Sequence, residues 1–131
     1  MEKEFIPYEQ ALALKELGFN KTTLATYSTK QGSKWILTFD LSGEGQYPDS
    51  SPACVAPLYQ QAFRWFREKY FIDAEIYLQH ELGHKFYHYL ILQLVRGNIE
   101  WKSKNTIRFK TYEEAELACL KKLIEIVKEK S

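Results

Sequence analysis

From Thr111 to Lys130 the chain carries a single apolar stripe at helical spacing: Ala115, Cys119, Leu120, Leu123, Ile126 and Val127. Thr111-Tyr112-Glu113-Glu114 opens it as a capping box, in which the threonine hydroxyl takes the third backbone N–H and Glu114 reaches back. Three acids near its start and three lysines from Lys122 onward suit the helix dipole. A helix with one apolar face must lie on a second layer, and that requirement restricts the fold more than any other feature of the chain.

The second layer is a sheet. Lys34 to Leu41 alternates, with Trp35, Leu37, Phe39 and Leu41 pointing one way and Lys34, Thr38 and Asp40 the other. Aromatic residues make up 15% of the chain, and such rings fit a pleated surface. Thr23 to Thr29 is a strand partner across the turn Lys30-Gln31-Gly32-Ser33. Pro7 to Leu17 reads as a helix that stops at Gly18, with Phe19 folding back onto Leu14 in a Schellman ending. Pro57 to Tyr70 reads as another, with Leu58, Ala62, Trp65, Phe66 and Tyr70 on its buried face. Strands are expected at about 72–79, about 85–95 and near 106–110, with turns at Gly97-Asn98 and Ser103-Lys104-Asn105. The expectation is one α+β domain over residues 1–131, a mainly antiparallel sheet with three helices on one face, in the order α-β-β-α-β-β-β-α.

A net charge of +1 singles out no class of partner. Cys54 and Cys119 form no CxxC pair, so they provide no thiolate zinc site and read as buried thiols, although Cys54 precedes a helix whose amides could lower its pKa. The charged start Met1-Glu2-Lys3-Glu4 and the shortness of the apolar run Tyr89–Val95 lead to an expectation of a cytoplasmic protein with no membrane partner.

His80-Glu81-Leu82-Gly83-His84 spells HExxH. On a helix, residues four apart share a face, so both imidazoles can reach one zinc ion while Glu81 serves the metal-bound water as general base. A third ligand would come from Glu100, Glu113, Glu114 or Glu116, with Glu114 the first choice. The flanks, however, look like two strands around a turn, where the roles collapse. The expectation is therefore no catalytic residue and no cofactor, with His80, His84 and His88 as ordinary surface or half-buried side chains. The alternative is a small zinc metallohydrolase with ligands His80, His84 and Glu114.

Lys85 to Lys110 holds six cations and one acid, interleaved with Tyr87, Tyr89, Trp101 and Phe109. Cations and stacking rings are the physical recipe for single-stranded nucleic acid, so a nucleic-acid-binding protein using strands 85–110 is a second alternative. No RNP signature, phosphate loop or G-x-S-x-G elbow accompanies it. Ser42 to Pro52 reads as a long surface loop, either a binding element or a plain connector.

Three segments (Phe5–Phe19, Ala56–Tyr70 and Thr111–Val127) together resemble a family of small uncharacterised proteins of gut Bacteroides genomes and their phages, crAss-like phages among them. The resemblance covers the three helices, close to half the chain, and brings no activity with it. HELGH lies in a segment that varies within that family. The resemblance implies a phage or mobile-element origin and a non-enzymatic binding protein, its partner an unknown macromolecule or small ligand. Tyr47, on the long loop, and Trp35, Trp65 and Trp101 are the candidate contact residues.

Overall fold

A computed structural model describes residues 2–39, 53–104 and 107–129. The fold is α+β, with three α-helices and six antiparallel strands among the described residues. The expected order holds, with one short strand added before the second helix. The strands form two three-stranded sheets. Two-residue turns dictate local hairpins, whereas nothing in local sequence dictates whether one hairpin pairs with the next. The chain divides into two compact units, residues 1–62 and 63–131.

In the first unit, α1 (Tyr8–Glu16) is followed by β1 (Ala25–Gln31), β2 (Lys34–Phe39) and β3 (Cys54–Ala56), with the sheet order β2-β1-β3. Helix α1 ends as its sequence predicts. Gly18 adopts φ +102°, the Phe19 N–H donates to the Leu14 carbonyl at 2.9 Å and the Gly18 N–H to the Lys15 carbonyl at 3.0 Å, the two bonds of a Schellman motif. Leu14 and Phe19 are both fully buried, so the cap also closes the core. Helix α1 packs on β3, and the Tyr27 hydroxyl donates to the Ile6 carbonyl at 2.8 Å. The β1–β2 turn is tighter than expected, only Gly32-Ser33, and β1 starts at Ala25.

Helix α2 (Tyr59–Tyr70) leads into β4 (Ile72–Glu81), β5 (His84–Val95), β6 (Asn98–Lys104) and α3 (Tyr112–Glu129), and the sheet order is β4-β5-β6. The third strand of this sheet lies at Asn98–Lys104, not near 106–110. Arg96-Gly97 makes a two-residue turn with φ +51° and +82°, so β6 begins as soon as β5 ends. Phe109 forms only an isolated bridge, with Tyr87. The threonine half of the expected α3 cap is present: the Glu114 N–H donates to Thr111 Oγ1 at 3.1 Å.

Candidate functional site: the outer face of β4-β5-β6

Strand alternation divides the residues of this sheet between two faces. Helix α3 covers one of them. It contacts β4 and β5, and its Tyr112 ring meets Tyr87 edge-on at 5.9 Å. Ile72, Tyr89 and Ile91, which share that inner face by register, are buried. The outer face carries Asp73, Glu75, Tyr77 and Gln79 from β4, opposite Leu92, Leu90, His88 and Phe86 of β5. Beyond β5, Leu94 pairs with Ile99 and Leu92 with Trp101.

This face grades from packed to open. His88 is buried, stacked on Tyr77 at 5.5 Å and edge-on to Phe86 at 5.1 Å, and its Nδ1 finds no hydrogen-bond partner among the described residues. At the β6 side the apolar residues stand in the open. Leu94 is 52% exposed, Ile99 68% and Trp101 65%. Phe71 is exposed too, at φ +58°, and its carbonyl accepts the Leu94 N–H at 3.1 Å. A residue with a Cβ in the left-handed region costs about 1–2 kcal/mol, so Phe71 occupies a place that glycine would fill more cheaply.

The HExxH residues are not on a helix. They form the end of the β4–β5 hairpin, with Leu82-Gly83 at φ +52° and +82° as its turn. His80 pairs with Lys85 and Glu81 with His84, so His80 and His84 lie on opposite faces of the ribbon. Glu81 is bonded to Arg108 at 2.7 Å, and the Arg108 guanidinium lies 4.5 Å from the centre of the Phe86 ring. Glu114 is exposed in the first turn of α3. Among the described residues no three His, Cys, Asp or Glu side chains are grouped to hold a metal ion. The alternative ligand set His80, His84 and Glu114, with Glu81 as base, therefore lacks the helical spacing its chemistry needs.

The four candidate contact residues fare differently. Trp65 is a core side chain, 6% exposed, with Phe66 and Tyr70 edge-on or tilted against it and against each other. Helical spacing places it on the packed stripe of α2, where it presents little surface to a partner. Trp35 is half-buried, stacked on Tyr8 at 4.8 Å with Lys30 over its ring. Tyr47 lies outside the described residues. Trp101 alone presents most of its surface, and the sequence reading missed its neighbours Leu94 and Ile99 because it took Gly97-Asn98, rather than Arg96-Gly97, as the turn.

The cations and rings of 85–110 are divided between the two faces, and the cation on the outer face, Arg108 over Phe86, is paired with Glu81. Lys85 lies on the inner face with Tyr87, Tyr89 and Phe109, where Tyr89 is buried. Lys102 is bound to Glu100 at 3.0 Å, and Glu100 pairs with Gln93 on that same inner face. Trp101 looks the other way, onto the face that also carries Asp73 and Glu75 two strands away.

Both thiols are buried. Burial pushes Cys54 up to about 11 despite the nearby Lys15, and pushes Cys119 up to about 12 with Glu116 adding to the effect. The expected buried thiols are what the structure contains, and Cys54 is shifted up rather than down. No helix among the described residues is long and apolar enough to cross a membrane.

No protein-family model matches the chain, and no curated protein or solved structure matches it.

Proposed function

We propose that the chain is a small non-enzymatic binding module and that its contact surface is the β5–β6 side of the outer sheet face, centred on Trp101, Ile99 and Leu94. The observation that carries this reading is the exposure of these three large apolar side chains on one face. Surface apolar residues scattered singly need no explanation, but a contiguous group on a rigid sheet is the usual mark of a contact site. Tryptophan is also among the residues that contribute most at interfaces. A phage or mobile-element setting rests on the resemblance of the three helical segments alone, and a cytoplasmic place is carried over from the sequence.

The zinc-hydrolase reading is not favoured, because His80 and His84 diverge. Nucleic-acid binding is not favoured either, because Lys85 and Lys102 lie with the face that α3 covers, Arg108 is paired with Glu81, and the face that bears Trp101 also carries Asp73 and Glu75.

The test is retention of cellular material on immobilised protein. Ile99→Lys and Trp101→Lys are expected to abolish retention, and Lys121→Glu, at an exposed position on α3, to preserve it. Equal retention by all three variants would overturn the reading. Retained nucleic acid whose binding falls steeply with salt would replace it with the second alternative.

A further inference from the structure

Strand β6 is an edge strand, and its outer edge has no ladder partner among the described residues. Val95 and Asn98 close the turn that precedes it. The alternation of an antiparallel ladder, counted from that pair, turns the backbone N–H and C=O groups of Ile99 and Trp101 outward. Proteins usually blunt such an edge with free lysines or proline. Here Lys102 is folded onto Glu100 at 3.0 Å, and the strand holds no proline. Between the turn and Lys102 the edge carries exposed Ile99 and Trp101 and the Glu100–Lys102 charge pair, and the second lysine of the strand, Lys104, stands at its far end.

The order of these residues is self-complementary. Glu100-Trp101-Lys102 reads as opposite charges on either side of one ring. In an antiparallel pairing of two copies about a two-fold axis at Trp101, Glu100 of each copy stands opposite Lys102 of the other, and the two indoles meet on the outer face. A parallel pairing sets like against like. We propose that this edge pairs with the same edge of a second copy, forming a two-fold dimer through Trp101. The proposal rests on the reading of the β5–β6 side as the contact surface and names its partner.

The geometry is isologous, so it closes after two chains rather than propagating into a fibre. The register shift between Ile91 and Leu92 inserts an extra β6 residue just past Trp101. Such a bulge bends the strand and interrupts the ladder. The ladder between copies is therefore short, and the dimer is weak, with a dissociation constant in the micromolar to millimolar range, about 4–8 kcal/mol.

Sedimentation velocity of the full chain from about 10 μM to about 1 mM, spanning that range, is the experiment. The wild type is expected to shift from monomer to dimer. Glu100→Lys and Lys102→Glu each create two like-charge contacts and are expected to weaken dimerisation about tenfold or more, equivalent to about 1.4 kcal/mol. Combining them as E100K/K102E restores opposite charges at both positions and is expected to restore the dimer. The combined variant should not pair with wild type. A wild type that stays monomeric throughout, single variants that dimerise as well as wild type, or a combined variant that stays monomeric would each overturn the proposal. A monomeric chain whose retention of cellular material still depends on Ile99 and Trp101 would sink self-pairing alone. Indifference of both measurements would sink the contact surface as well.

Discussion

Glu81 and His84 face each other across the two-residue turn of the β4–β5 hairpin, and this pairing sends His80 to the opposite face, beside Lys85. The HExxH spacing depends on residues four apart sharing a helical face, and in a hairpin they do not. Zinc binds the folded state and raises its melting temperature only where a site exists. Added zinc is therefore expected to leave the melting temperature of wild type and of His80→Ala unchanged within about 1 °C. A zinc-dependent rise that His80→Ala removes would contradict the divergence of the two rings.

Leu82 stands at φ +52° and is 93% exposed, so it gains nothing from burial and carries the strain of a left-handed side chain. Asparagine tolerates that conformation and is favoured before glycine in turns of this kind. Leu82→Asn is expected to stabilise the fold by about 1 kcal/mol, read as a rise in the denaturation midpoint with an unchanged slope. A loss of stability would show that Leu82 makes a contact its exposure denies.

Trp65 and Trp101 separate packing from surface. Trp65 is enclosed by Phe66 and Tyr70, and Trp65→Ala is expected to cost about 3–5 kcal/mol. Trp101→Ala, at a largely exposed position, is expected to change stability by no more than about 0.5 kcal/mol in dilute solution. Chemical denaturation of the two variants under one set of conditions checks both values. Comparable losses would mean that Trp101 belongs to the core.

The helices were largely legible in the sequence because their ends are written in short-range chemistry. Thr111 caps α3, and Gly18 with Phe19 ends α1, through bonds that span only a few residues. The β4–β5 hairpin was legible too, from β-rich runs on either side of Leu82-Gly83. The β5–β6 turn was not, because Arg96 supplies its first positive φ, a position normally filled by Asn, Asp or Gly. Misplacing that turn by one residue and delaying the third strand hid Ile99 and Leu94, so Trp101 stood as an isolated candidate. The split into two sheets depends on pairing across long stretches of chain, on which local pattern is silent.

The two buried thiols make stability fall in alkali. Folded Cys54 and Cys119 hold their protons to about 11 and about 12, against a reference of 9.0. The unfolded chain therefore releases these protons first. The stabilisation is fully present below pH 9 and is lost as pH rises through the folded values. Burial also raises the tyrosines Tyr8 and Tyr112, which act in the same direction above pH 10. Denaturation curves are expected to lose stability progressively above pH 9, and less steeply in Cys119→Ala. A flat profile to pH 11 would show that the thiols titrate alike in both states.

The most direct measurement places a photo-crosslinking amino acid at position 101 in cells making the protein, with position 121 on α3 as the control. A covalent adduct, whether a second copy or another molecule, is expected from position 101 and not from position 121. Adducts of equal yield from both positions, or none from position 101, would mean that the outer face of β5–β6 is not where this protein meets its partner.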